Sequence, residues 1–478
     1  MKKDVVFALN YALNKGFQIH PNAFEILEKI EIIDLEKVIR DIVREKTKQK
    51  VFHINQEDLE VFLGLKEEEE LLSDHKILSD PTQKITSSEG IVGFGALFSD
   101  RFLKLKRIIS SRPEAKLLKS ISSVIASKSD IDVFVCGLLV ERNSERNVIK
   151  MVIDDPTGSL ESIVFDKDLQ SVANSLLIDQ FVMERISVGR NGGFVVKDII
   201  VPNIPDHIPN YSKTETYAVF LSDLHVGSRY FMEKELQEFV LWLSSPDPIA
   251  RKVRFVLIAG DVIDGIGIYP NQEKELVFTN VNEQLKKAVE ILEKIPRHVK
   301  VFIMPGNHDP GRRALPQPAI PKKYSLDLWN RENFFMVGNP ALVLLNGVKV
   351  LMFHGQSIDD IVRTTPGLSF DNPTKVMRQL LQARHLSPIY GGQTPLAPEV
   401  EDMMLIDDVP DVFHVGHVHV VGLDLYKGIL LINSGAWQNQ TPFQASVGIT
   451  PTPGIAIIVN LKNFKVYRKD FKTENRSL

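Results

Sequence analysis

Five short apolar runs, each ending in a cluster of Asp, Asn or His, constrain this chain more than any other feature. Residues 217–221 lead into Ser222-Asp223-Leu224-His225, and 253–259 lead into Gly260-Asp261. Residues 299–304 lead into Pro305-Gly306-Asn307-His308-Asp309, 348–353 into His354-Gly355, and 412–415 into Gly416-His417-Val418-His419. Runs of this length and character read as buried strands. Helical segments at 233–243 and 281–292 lie between some of them, so residues 206–478 are expected to form one large α/β domain with sheets flanked by helices. In open α/β sheets a site forms outside the carboxyl ends of the strands, and five such ends can converge on one crevice.

The residue types suit a two-cation centre, because Asp, Asn and His supply mixed oxygen and nitrogen ligands. Asp223, His225, Asp261 and His419 are expected around one divalent ion. Asp261, Asn307, His354 and His417 are expected around the other, with Asp261 shared. Two dications less two aspartates and one hydroxide leave a charge of about +1, which attracts a phosphodiester. His308 adjoins Asn307 and is expected to point elsewhere, toward the phosphate, as a transition-state stabiliser or a proton donor to the leaving oxygen. Asp309 is expected to orient its ring. The other histidines read differently: His414 as a core residue inside a strand, His298 as surface, and His385 as a ring that could line the cleft.

Upstream, residues 1–65 have short amphipathic helical patterns, with Leu35, Val38, Ile39, Ile42 and Val43 at helical spacing, Asp34 as N-cap, and Leu59, Phe62 and Leu63 in a second stretch. Lys2-Lys3 and residues 5–13 mimic a signal peptide, but Asn10 interrupts the run and no small-residue cleavage site follows, so a helix is expected. Residues 66–95, with an acidic run at 67–70, read as a flexible linker. Residues 96–205 read as an OB-type β-barrel preceded by a basic helix. Five strand patterns with one helix at 167–176 support this. The basic stretch, with Arg101, Lys104, Lys106, Arg107, Arg112, Lys116 and Lys119, reads as a solvated helix face, with a nucleic-acid or partner contact as the functional alternative. The barrel strands carry few aromatics, so protein docking is at least as good a reading as single-strand binding. The net charge of −4 excludes a globally basic nucleic-acid coat. The single Cys136 excludes an internal disulfide and a cysteine-based zinc finger. No apolar run approaches the roughly 18 residues of a membrane span.

The five motifs together resemble the calcineurin-like metallophosphoesterase superfamily. Ser/Thr protein phosphatases of that superfamily resemble the pattern with Arg-Gly after the second Asp and Glu after Asn-His. Here Asp264-Gly265 and Asp309 stand at those places, so the nucleases and phosphodiesterases are closer. The order of an OB-like unit with Asp154-Asp155-Pro156-Thr157-Gly158, the joint Pro202-Asn203-Ile204-Pro205, and Arg384-His385-Leu386-Ser387-Pro388-Ile389-Tyr390-Gly391 resembles the small subunits of archaeal family D DNA polymerases. The resemblance covers residues 95–478 well and the N-terminal helices loosely. It implies a manganese-dependent, proofreading 3'-5' exonuclease acting on single-stranded or mismatched ends. It also implies a large catalytic polymerase subunit as heterodimer partner, DNA as substrate, the sliding clamp through that complex, and a cytoplasmic, nucleoid-associated location without a membrane. The related eukaryotic B-subunits have lost the metal ligands, whereas this chain keeps them, so activity is expected.

Arg312, Arg313, Lys322 and Lys323 lie in a proline-stiffened stretch just after the third motif and are candidate phosphate-backbone contacts. Trp329, Phe334 and Phe335 read as core rather than base-stacking residues. Two rival readings remain open: a mainly structural scaffold subunit, and a phosphatase or phosphodiesterase acting on another ester.

Overall fold

The computed structural model describes residues 3–29, 35–48, 51–56, 58–59, 73–127, 132–446 and 448–472. The chain forms two compact units, Met1–Leu72 and Ser73–Leu478. Asp34, Phe62, Leu63 and the acidic run 67–70 lie outside the described residues.

In the first unit the helical periodicity becomes helices Lys3–Asn14, Pro21–Lys29 and Leu35–Lys48. Val5, Ala8, Ala12, Leu27, Ile39 and Ile42 form their shared core. A two-residue parallel ladder, β1 (Gln18–Ile19) with β2 (His53–Ile54), joins the connecting segments.

The second unit opens with a correction to the expected linker. From Ser73 onward this segment is part of the fold: β3 (His75–Ser79) pairs antiparallel with β13 (Ala341–Leu345). Asp80 accepts from the amides of Thr82 and Gly338, both at 2.9 Å. Thr86 N and Ser87 Oγ donate to the buried Glu399, each at 2.6 Å. Apart from Thr82, the partners lie more than 250 residues away, so a polar local composition could not reveal them.

Helix Gly90–Ile109 leads to the barrel. Strands β4 (Val133–Glu145), β5 (Val148–Asp155), β6 (Gly158–Val164), β7 (Phe181–Val188) and β8 (Phe194–Ile200) close in the order β4-β5-β6-β8-β7. The parallel β6–β8 contact makes the closure. Helix Lys167–Ser175 lies between β6 and β7, where Asp166 caps its first turn by accepting from the amides of Asp168 and Leu169. Alternate residues such as Val135, Met151, Leu160, Val182 and Val196 fill the interior.

Two six-stranded sheets follow. The first runs β12 (Phe334–Met336), β11 (Lys300–Met304), β10 (Val253–Ala259), β9 (Tyr217–Leu221), β18 (Ile455–Asn460) and β19 (Val466–Asp470). The second runs β16 (Val421–Tyr426), β17 (Ile429–Ser434), β15 (Val412–Val415), β14 (Val348–Phe353), β13 and β3. The strands from β9 to β12 are mutually parallel, as are β14, β15 and β17. Alternation along β9 sends Ala218 and Phe220 into the core between the sheets, and Val219 and Leu221 toward the helices outside. Both faces are therefore apolar, which explains the unbroken hydrophobic runs. Trp329 and Phe334 lie in or against the outer core and Phe335 against the inner one, as expected.

The basic helix is the second correction. Arg101 is not solvated: it and Asp402 are each 1% exposed and pair at 2.7 Å. The Asp402 carboxylate also takes the His385 ring at 2.9 Å, so His385 is structural rather than a cleft residue. Burial works to raise the Asp402 carboxyl, but His385 and Arg101 hold it well below the usual range. Lys104 and Arg107 pair with Glu401 and Asp407 of the same loop. Phe102, Leu105 and Ile109 pack on the barrel's outer face at Phe134, Cys136, Phe181 and Met183, with Leu405 from the same loop alongside. The helix is thus a strut between barrel and sheets.

Removing one member of a buried pair strands the other, at a cost of about 3–5 kcal/mol. Arg101→Ala is expected to lower the urea midpoint of the second unit accordingly, read by tryptophan fluorescence. Arg107→Ala, in an exposed pair, is expected to change stability by no more than about 1 kcal/mol.

Candidate metal centre

The strand ends converge where the carboxyl ends of β9, β10 and β11 in one sheet meet those of β14 and β15 in the other. Backbone bonds lock the loops together. Asp223 N donates to Gly260 O at 2.9 Å, His225 N to Asp261 O at 3.0 Å, and Gly416 N to His354 O at 2.8 Å. The carboxylates take part: Asp223 Oδ2 accepts from His417 N, and Asp261 Oδ1 from His308 N, each at 2.9 Å.

Turning five polar side chains inward from strand ends needs unusual backbone. Asp223, His225, Asp261, His417 and His419 all have φ between 51° and 70°, in the left-handed region. Such conformations cost roughly 1–3 kcal/mol each and cluster at functional sites. Close approach also demands glycine at position 306, where a Cβ would stand 2.1 Å from Asp261 Oδ1.

All seven expected ligands come together. His225 Nε2 lies 3.0 Å from His419 Nε2, and His419 Nε2 lies 3.5 Å from Asp223 Oδ1. His354 Nε2 lies 2.9 Å from Asn307 Oδ1 and 3.3 Å from Asp261 Oδ2. Asp261 Oδ2 is also 3.8 Å from His225 Nε2, so this carboxylate stands between the two sets. Asp223, His225 and His419 form one group able to hold a cation, and Asp261, His354 and His417 form another.

The ring orientations fit cation binding. His354 Nδ1 bonds the carbonyl of Ala259 at 2.8 Å, and His308 Nδ1 that of Asp264 at 2.7 Å. A carbonyl only accepts, so both Nδ1 atoms carry protons and Nε2 is the atom left for the centre. His225 Nδ1 is held the same way by Asp264 Oδ1 at 3.0 Å. Asp223 Oδ1 is buried with no hydrogen-bond partner, and His419 Nε2 and His225 Nε2 face it at 3.5 Å and 3.9 Å. The donor set therefore suits divalent cations.

The titration behaviour follows. Burial disfavours charge on His225, but Asp264, Asp261 and Asp223 outweigh it and raise the ring to about 9. Burial likewise opposes charge on His354, and Asp261 and Asp223 raise it to about 10. Burial pushes the Asp223 carboxyl up. It acts the same way on Asp261, where His354 and His308 prevail and hold the carboxyl well below its ordinary value. Burial lowers His308.

Asp309 is a correction. Its oxygens accept from the amides of Gly306 at 2.9 Å and of Val262 and Ile263 at 3.1 Å. It ties two loops together, and the group that orients His308 is the Asp264 carbonyl instead. Burial, with Asp261 beside it, pushes Asp309 up to about 7. Arg312 is a second correction. Its guanidinium bonds the buried Glu399, the Pro316 carbonyl and Ser87, so it faces the protein rather than a phosphate. Arg313, Lys322 and Lys323 are exposed. Lys322 lies over the Trp329 ring and Lys323 over Tyr324. His414 is a core residue, bonded to Ser434 and pushed down to about 3 by burial.

Sequence reasoning missed the supports. Asp264 holds His225 and is itself held by Gln272 and Gln438, each at 3.0 Å. Gln444 reaches His419 Nδ1 at 2.8 Å, and Asp359 lies 3.2 Å from His417. Asp264 could have been found from its place three residues after Asp261. The glutamines carry no motif.

Fold and site together define a two-sheet α/β protein with a histidine–aspartate centre and an appended barrel. A family model describing the B-subunits of DNA polymerases alpha and epsilon matches residues 218–420, a stretch that includes all seven candidate ligands. The DNA polymerase II small subunit of Archaeoglobus fulgidus is 40% identical over 400 residues, 82% of this chain and 78% of that protein. The one from Thermoplasma acidophilum is 34% identical over 475 residues, 97% and 93% of the two chains. A solved archaeal phosphodiesterase is similar at 13% identity and a TM-score of 0.27, over 53% of this chain and 99% of that one. The chain belongs to the DNA polymerase II small subunit family.

The His225 and His354 rings, raised to about 9 and about 10, are charged at pH 7, so a divalent cation entering the centre would have to displace their protons. Titrating metal-stripped protein with manganese at pH 7, in buffers of different ionisation enthalpy, is expected to show release of about two protons. Apparent affinity should rise with pH until about pH 9–10 and fall toward acid.

Proposed function

We propose that this chain is the proofreading small subunit of a replicative DNA polymerase. It acts as a 3'-5' exonuclease that hydrolyses DNA phosphodiester bonds at single-stranded or mismatched ends. The observation that carries this reading is the convergence of seven intact ligand-type side chains, two of them buried aspartates, with Asp223 Oδ1 lacking a hydrogen-bond partner. Two divalent cations, manganese by family resemblance, would be held by Asp223, His225, Asp261 and His419 on one side, and by Asp261, Asn307, His354 and His417 on the other. When bound, they supply Lewis-acid polarisation of the phosphate and an activated water.

The chain's own residues do the rest. His308 presents Nε2 at the centre, 3.8 Å from Asp261 Oδ2, with its ring fixed by the Asp264 carbonyl. An arriving phosphodiester brings negative charge, which favours the protonated ring that burial disfavours. His308 then donates from Nε2 to the phosphate or to the leaving oxygen. Arg313, Lys322 and Lys323 are the exposed cations that hold the backbone of the strand.

The large catalytic polymerase subunit is the heterodimer partner, with the clamp reached through that complex and a cytoplasmic, nucleoid-associated location. Within the chain, residues 1–65 act as the helical module, the barrel as an OB-fold domain, and residues 206–478 as the phosphoesterase domain. Among the described residues no helix is long and apolar enough to cross a membrane.

The test is degradation of a single-stranded oligonucleotide labelled at its 5' end, with manganese and with chelator. A manganese-dependent ladder shortening from the 3' end is expected, with at least a hundredfold loss in Asp261→Ala and in His308→Ala (~3 kcal/mol). No degradation by folded, metal-loaded protein, alone and with its large subunit, would leave the scaffold reading.

A further inference from the structure

Beside the Asp223–His225–His419 group stands an aromatic pair that the metal chemistry does not use. Phe443 stacks on Tyr269, with ring centroids 5.4 Å apart and planes 18° apart. Phe443 is 50% exposed and belongs to no apolar core among the described residues. Single exposed apolar side chains are ordinary on protein surfaces. This one differs because both partners of the stack are fixed through buried polar groups to the centre itself.

Phe443 sits on the short helix Pro442–Ser446 next to Gln444, which is buried and bonds His419 Nδ1 at 2.8 Å. Gln444 N donates to Thr441 Oγ1 at 3.2 Å, and Thr441 N donates back to Gln444 Oε1 at 3.1 Å, which fixes the segment. Tyr269 lies in the loop that follows Asp264. Its hydroxyl donates to Glu275 at 3.1 Å, and its carbonyl accepts from Gln272 N at 3.3 Å. The Gln272 side chain donates to Asp264 Oδ2 at 3.0 Å. Phe443 is thus a single residue from the support of His419, and Tyr269 is linked through Gln272, by two hydrogen bonds, to Asp264, the support of His225. Tyr269 stacks against Phe443, and half of the Phe443 residue stays exposed.

We propose that Phe443, backed by Tyr269, is a nucleobase platform: the base of the 3'-terminal nucleotide stacks on it while the phosphate lies over the histidine–aspartate centre. This rests on the exonuclease reading and deepens it. A flat π-face accepts any of the four bases, whereas hydrogen-bonding side chains would select among them. A proofreading site must accept whichever base was misincorporated, so stacking is the recognition it needs.

The experiment compares two single-stranded oligonucleotides, one ending in an ordinary nucleotide and one in an abasic residue. The enzyme is the full chain assembled with its large subunit, with manganese and without deoxynucleoside triphosphates. Wild type is expected to favour the base-bearing end about tenfold in kcat/KM, mostly through KM. Phe443→Ala is expected to lose that preference, and Phe443→Trp to keep it. Phe443→Leu, which keeps apolar volume without a π-face, should fall near Phe443→Ala. Manganese stoichiometry in Phe443→Ala should match wild type, showing that His419 is still held. An undiminished preference in Phe443→Ala overturns the platform and leaves the exonuclease reading intact. An equal loss on both ends also overturns it, as a disturbance of the helix. Failure of wild type to cut either oligonucleotide removes the exonuclease reading, and the platform with it.

Discussion

Asp223 and Asp261 are buried side by side where the two sheets meet, with almost no exposure to water. Two carboxylates so placed repel each other and lack hydration, so the surroundings must supply positive charge. Much of the local architecture answers that demand. The amides of His417 and His308 donate to them, and the rings of His225 and His354 are held far above their ordinary titration range. Left-handed backbone at five of the ligand positions, and glycine at 306, bring the groups within reach. The protons on the His225 and His354 rings partly satisfy the two carboxylates. Divalent cations would satisfy them better, since they would displace those protons and also engage Asp223 Oδ1, which has no hydrogen-bond partner.

The barrel is joined to the sheets by a strut that uses the same economy of charge. Arg101 is buried only because Asp402 meets it and because Pro388 O accepts from its second nitrogen at 2.7 Å. His385 Nε2 meets the same oxygen of that carboxylate, Oδ2, at 2.9 Å. Around this centre the helix Gly90–Ile109 is apolar toward the barrel and basic toward the acidic loop 401–408. The basic cluster therefore binds the protein to itself. The same applies to Arg312 on Glu399, which leaves Arg313, Lys322 and Lys323 as the cations of that stretch facing solvent.

Much of the fold could be read directly. The barrel strands, the helix Lys167–Ser175 and the strands leading into the site follow from local alternation and apolar runs, which are properties of neighbours in sequence. The seven ligand-type residues were legible because each sits at a fixed offset from the end of such a run. The misreadings share one cause. The segment from Ser73, Arg101, Asp309 and Arg312 all take their roles from partners on other elements, and composition in a local window carries no record of them.

Local sequence thus settles which strands form and which polar side chains stand at their ends, because backbone periodicity and burial act over neighbouring residues. Packing of the two sheets settles which of those side chains share a cavity, which ring nitrogen each histidine presents, and which cations are already neutralised. Those outcomes depend on distances between elements far apart in the chain. The Ala259 carbonyl that aims His354 and the Gln444 amide that braces His419 acquire their meaning only when the sheets come together.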